Sequence, residues 1–154
     1  MPDNNEQAIL EAASRVFETA AFLSVYPLDP SQELPPPERA ATMTFHGAAN
    51  GRVSMRVALS VLDSVVDNLL DLQDDPDELA TRRGDVLKEM LNMLCGNILT
   101  GYFGAEPVFD LSPPELLQDE TMPQPTSKEV LLVAMNIENT LAEVMFEVQN
   151  RQNR

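Results

Sequence analysis

Tryptophan is absent from the 154-residue chain and aromatic residues make up only 5% of it, so the core has to be built mainly from Leu, Val, Ile, Met and Ala. Basic residues are scarce: ten Lys and Arg stand against 25 Asp and Glu, a formal net charge of −15. That balance excludes the basic footprint on which nucleic-acid binding depends, and it opposes docking on anionic lipid. A single cysteine, Cys95, cannot close an intramolecular disulfide, which fits a reducing compartment. No stretch approaches the roughly 18 apolar residues of a membrane span. Residues 1–25 have neither the basic start nor the unbroken apolar run of a signal peptide. A cytoplasmic protein is the expectation.

The length suits one domain, 1–154, with a folded part of about 5–148. Residues 5–25 predict an amphipathic helix, with Ile9, Ala12, Ala13, Val16, Phe17, Ala20 and Leu23 at helical spacing, closed by Pro27 and Pro30. Residues 26–38 carry five prolines and predict a loop. A hairpin is expected next. Met43 and Phe45, then Val53, Met55, Val57 and Leu59, alternate with other residues, and Asn50-Gly51 between them is the signature of a type I′ turn. A second helix is expected over 60–72, broken at Asp74-Asp75-Pro76-Asp77, and a third from about 77 to 102. Residues 103–127 hold five more prolines and one short strand near Val108–Leu111. A second hairpin, Val130–Ile137 and Thr140–Val148, turns at Glu138-Asn139, and 149–154 reads as a frayed tail. Helix, proline-rich loop and hairpin thus occur twice, a weak internal echo. The fold class is α+β, with two hairpins pairing into one antiparallel sheet against long helices.

On the third helix Leu87, Leu91, Leu94 and Ile98 share the core side. Asp85, Glu89, Asn92 and Gly96 fall in a stripe about 60° wide on the opposite side. Glu89 and Asn92, at i and i+3, bring a carboxylate next to a carboxamide. A mid-helix Gly96 costs roughly 1 kcal/mol relative to Ala and leaves bare backbone on which another surface can close. Such a stripe is ordinarily no more than a helix's solvated face. Elsewhere, His46 stands alone on a strand without the companions of a metal site. Cys95 borders the core and is expected to pack there. Asp74–Glu78 has the composition of a calcium loop without its glycine or ligand spacing.

The spacing Asp85-x3-Glu89-x2-Asn92, with Pro114 following after 21 intervening residues, resembles the signature of the CheC/CheX/FliY phosphatases. Around it, Glu89–Asn97 is similar to that family's E-x-x-N-x-x-x-G-N helix, Gly51–Val57 to its G-x-v-x-l strand, and Leu111-Ser112-Pro113-Pro114 to its loop. One departure is that Glu115-Leu116-Leu117 follows Pro114 where the family often has a glycine. CheC resembles a duplicated enzyme with two Glu/Asn helices. Here the first helix reads Glu11-Ala12-Ala13-Ser14 at the comparable stretch, and Ser falls short of the reach of Asn, so one working face is expected, as in CheX.

The resemblance implies a phosphatase acting on the aspartyl phosphate of a phosphorylated CheY-like receiver domain. Asn92 would orient the hydrolytic water and Glu89 would pair with the receiver's lysine, with Asp85, Gly96 and Pro114 in support. It implies no metal on this chain, Mg²⁺ on the partner receiver, and a homodimer. Apolar residues on both faces of Val130–Met135 point to the same assembly. Two other readings stay open: a non-catalytic receiver-binding or adaptor module, and a flagellar-switch-like component, which the lack of an appended motor-binding domain disfavours.

Overall fold

A computed structural model describes residues 4–70, 76–118 and 121–151. Three helices and seven strands follow in the order α1 (Asn4–Ala21), β1 (Val25–Pro27), β2 (Arg39–Gly47), β3 (Ala49–Val57), α2 (Leu59–Leu70), α3 (Pro76–Phe103), β4 (Phe109–Leu111), β5 (Glu115–Leu116), β6 (Glu129–Ile137) and β7 (Thr140–Arg151). The strands form one antiparallel sheet in the order β1-β6-β7-β3-β2-β4, with β5 also pairing β2. Alternate strand residues, among them Met43, Phe45, Val53, Met55, Met135, Val144 and Phe146, join the buried side chains of α1, α2 and α3 in one core on the helical side of the sheet. The α+β class and the two hairpins are as the alternation implied.

The internal echo is an approximate two-fold relation. The short strand after α1 pairs with β6, the first strand of the second hairpin, and the short strand after α3 pairs with β2, the first strand of the first hairpin. The registers correspond: Val25–Pro27 lie along Ile137–Met135 as Phe109–Leu111 lie along Gly47–Phe45. The axis passes between the central strands, where Ser54 faces Met145. Each half thus supplies a helix and lends its short strand to the other half.

Four expectations are corrected. The first hairpin does not turn at Asn50-Gly51. It turns at Ala48, and both residues lie in β3, where the register against β7 shifts between them. Gly51 pairs with Phe45, and a Cβ on it would stand 2.0 Å from the Glu147 carbonyl oxygen and 2.4 Å from Phe45 Cζ. Its glycine answers a packing demand rather than a turn. Gly47, at φ +155°, takes the turn, and its N–H donates to Asn50 Oδ1 over 3.2 Å. Second, α1 ends at Ala21 because Phe22 takes φ 58°, and Pro27 belongs to β1 rather than to a helix stop. Third, residues 149–151 are not frayed: β7 runs to Arg151, whose guanidinium pairs with Glu129 and lies 5.8 Å from the Tyr102 ring centroid. Fourth, β5 was not expected. The second hairpin turns at Glu138-Asn139 as anticipated, with φ of 51° and 60°, the pair of positive values a type I′ turn requires. The break expected at 74–77 and the calcium-loop composition at Asp74–Glu78 lie largely outside the described residues.

Candidate functional site on the third helix

Residue spacing on α3 sorts its side chains as the periodicity required. Leu87, Leu91, Leu94 and Ile98 are buried, as are Val86, Met90, Cys95 and Leu99. Asp85, Glu89 and Asn92 are exposed on the other side, and Gly96 follows one turn on, with nothing within 4 Å of a Cβ placed on it. Cys95 is packed in the core, where burial pushes its thiol up to about 12, so it is no nucleophile. His46 is exposed, its ring nitrogen 3.4 Å from Thr44 Oγ1.

Two anchors hold the stripe in place. At its N-terminal side Arg83 grips Asp63 of α2 through two hydrogen bonds of 2.6 and 2.9 Å. That partner holds the guanidinium above its ordinary value. At its C-terminal side the Asn97 carboxamide donates to the Met93 carbonyl oxygen and accepts from Arg15 of α1. Asn97 is thus committed to joining α1 and α3, whereas the Asn92 carboxamide makes no hydrogen bond among the described residues.

The stripe faces a second wall. Asp85, Lys88, Glu89 and Asn92 of α3 and the Leu111–Pro114 segment enclose an open groove of about 470 Å³. Of the groove's lining residues Pro114 belongs to the spaced motif of the sequence and Lys88 does not. The wall is fastened along the outer edge of β2. Leu111 pairs with Phe45, and Ser112 N–H donates to the Thr44 carbonyl oxygen. Ser112 Oγ accepts from Thr44 N–H at 2.8 Å, and Leu117 N–H donates to the Ala40 carbonyl oxygen. The departure after Pro114 now has a structural meaning. Glu115 and Leu116 form β5 against Thr42 and Ala41, and Leu116 closes over Gly84, where a Cβ would be 2.7 Å from its Cδ1. The site is therefore a helix stripe flanked by an open groove.

The two-fold relation gives α1 a counterpart hollow of about 110 Å³ lined by Gln7, Leu10, Glu11, Ser14, Val25 and Pro27, and Leu10 and Pro27 also line an adjoining one of about 290 Å³ with Leu28 and Leu132. Ser14 stands where α3 has Asn92, Leu10 where it has Lys88, and Glu18 where it has Gly96. The second face has neither the carboxamide nor the bare backbone. Among the described residues, no cluster of three or more His, Cys, Asp or Glu side chains could hold a metal ion, and no helix is long and apolar enough to cross a membrane.

Comparisons with known proteins place the chain in a family. The family model "Chemotaxis phosphatase CheX" matches residues 39–136. Among curated proteins, none matches the chain. Solved structures share the fold. A chemotaxis protein CheX from Desulfovibrio desulfuricans superposes with a TM-score of 0.75 at 18% identity, covering 96% of this chain and 100% of that one. The CheX–CheY–BeF₃–Mg²⁺ complex from Borrelia burgdorferi matches with a TM-score of 0.70 at 19% identity, over 96% and 99% of the two chains. FliY from Thermotoga maritima gives 0.54 at 13% identity, over 94% and 90%.

Proposed function

This chain belongs to the chemotaxis phosphatase CheX family, and from that premise we propose that it hydrolyses the aspartyl phosphate of a CheY-like response regulator in the cytoplasm. The observation that carries the reading is the pair Glu89 and Asn92, exposed one turn apart on α3 and flanked by the Leu111–Pro114 wall. A related protein solved in complex with CheY, BeF₃ and Mg²⁺ supports a receiver domain as the partner.

Hydrolysis of an acyl phosphate needs a water oxygen in line with phosphorus. The P–O bond to the aspartyl carboxyl breaks as the new one forms, releasing phosphate and restoring the carboxylate. Positioning and electrostatics supply most of the catalysis. Asn92 inserts its carboxamide and orients the water. The amide offers a donor and an acceptor without adding negative charge beside a phosphoryl group. Glu89, one turn away, pairs with the receiver's lysine and sets the register. Asp85 supports the rim, Gly96 admits the partner surface, and Pro114 stiffens the opposing wall. The receiver brings its own Mg²⁺, which neutralises charge on the phosphoryl oxygens, and this chain contributes no ligand to it.

We also propose a homodimer. β1 pairs with β6 only over Met135–Ile137, and among the described residues no strand pairs with the outer edge of β6 over Glu129–Ala134. In the other half, β5 covers part of the corresponding edge of β2. Leu132, on that uncovered stretch, is 55% exposed.

The test is phosphate release from a purified receiver with Mg²⁺ and a small phosphodonor. Asn92→Ala should lower the rate about a hundredfold, the scale on which misplacing a reacting group acts, while binding and fold persist. Glu89→Ala should weaken binding and rate together, and Asp85→Ala should do much less. Equal release by wild type and Asn92→Ala would refute the mechanism. Wild-type binding without release would make the chain an adaptor.

A further inference from the structure

We infer that Lys88 is a positioning residue for the partner, meeting a carboxylate on the receiver surface that closes on the groove between α3 and Leu111–Pro114. The inference rests on the phosphatase reading above and adds to it the residue that selects and orients the substrate protein.

Three observations converge on Lys88. The first is its place. It is half-buried and lines the groove together with Glu89, Asn92 and the Leu111–Pro114 wall, so a surface that closes on the groove meets its side chain. The second is that it has no ion-pair partner among the described residues. In a protein with 25 acidic residues, Arg52, Arg56, Arg83 and Arg151 are each paired with a carboxylate, whereas Arg15, Arg39, Arg82, Lys88 and Lys128 make no ion pair among the described residues, and of these five Lys88 is the one that lines the groove. Lys88 follows Asp85 by three residues and adjoins Glu89, yet among the described residues it ion-pairs with neither. The third is the internal comparison. At the related position of α1 stands Leu10, 8% exposed, on the face that has Ser14 in place of Asn92. The fold can fill this position with a packed leucine. The cation occurs on the face that carries the carboxamide.

Charge decides what Lys88 can do. An acidic chain repels an acidic partner at long range. A cation at the rim of the contact offsets that repulsion locally and fixes one orientation. A lysine ammonium suits this task as a compact charge on a flexible stem, able to follow the partner as Asn92 is inserted.

The experiment measures initial rates of phosphate release for wild type, Lys88→Ala, Lys88→Arg and Lys88→Glu. The probe is the receiver domain from the same organism that wild type dephosphorylates fastest, loaded with acetyl phosphate and Mg²⁺. Lys88→Glu should raise KM about tenfold with kcat within about twofold, because a rim charge acts on encounter and orientation. Lys88→Arg should restore KM, and Lys88→Ala should show a weaker dependence of KM on salt than wild type. Thermal melts confirm that each variant folds. An unchanged KM in Lys88→Glu, with wild type active, overturns the role of Lys88 alone. A fall in kcat at constant KM overturns it as well, since Lys88 would then act on the chemistry. No release by wild type from any receiver overturns the phosphatase reading and this inference with it.

Discussion

Gly51 of β3 lies directly against Phe45 of β2, close enough that a Cβ on the glycine would stand 2.4 Å from the ring's Cζ and 2.0 Å from the Glu147 carbonyl oxygen. The carbonyl belongs to β7 and cannot yield without breaking the central pairing of the sheet. The ring stacks on Phe146, with centroids 5.8 Å apart. Gly51→Ala is therefore expected to destabilise the protein by about 1–3 kcal/mol, the usual cost of forced overpacking. Urea unfolding checks this: the midpoint should fall at an unchanged m-value, and a midpoint equal to that of wild type would contradict the packing argument.

Gly96 presents the opposite case. Nothing lies within 4 Å of a Cβ placed on it, so Gly96→Ala should stabilise α3 by roughly 0.5–1 kcal/mol through backbone entropy. If the bare backbone serves the approach of the receiver, the same variant should dephosphorylate more slowly. A more stable protein with a raised KM is the expected pair of results. A more stable protein with wild-type kinetics would return Gly96 to a structural role.

The Glu147 carboxylate is fully buried on the sheet face opposite the helices. Burial pushes its pKa up, but hydrogen bonds from Thr126 N–H and Oγ and from Arg52 outweigh that and hold it below the ordinary carboxylate value. A group depressed in the folded state contributes stability above its unfolded pKa and loses it as pH falls through the folded one. Glu147→Gln should therefore cost stability at pH 7, by roughly 1–3 kcal/mol, and the gap from wild type should narrow below about pH 4.5. The comparison has to be between the two proteins, because protonation also relieves the repulsion of a chain at −15. A gap that stays constant from pH 7 to pH 3.5 would rule out the linkage.

Where sequence could be read, the signal was local. The period of α3 separates Leu87, Leu91, Leu94 and Ile98 from Asp85, Glu89 and Asn92, and the structure buries the first set and exposes the second. Positive φ at Glu138 and Asn139 bears out a turn read from two adjacent residues. What was not legible depends on contacts across the sheet. Asn50-Gly51 carries a turn signature, yet Gly51 is glycine because of Phe45 and the strand beyond it. β5 has two residues and exists only because β2 offers an edge there. The groove, and Lys88 within it, needs Leu111–Pro114 to be fastened to Thr44, a partner 68 residues away in the chain. No periodicity within α3 contains that information.

The uncovered edge of β6 leads to the last expectation. Among the described residues no strand pairs with the outer edge of Glu129–Ala134, which carries the exposed Leu132 beside the exposed Leu28, and such an edge is a template for another strand. Two copies meeting edge to edge about a two-fold axis would satisfy those groups reciprocally. Wild type should have twice the chain mass by light scattering at micromolar concentration. Self-association has to overcome the repulsion between two chains of −15, so the dimer should tighten as salt rises. Leu132→Lys places a charge in the pairing zone and should shift the mass to that of one chain without lowering the midpoint of unfolding measured at high dilution. A monomer at every salt concentration would refute the dimer. A dimer that Leu132→Lys leaves intact would move the interface away from β6.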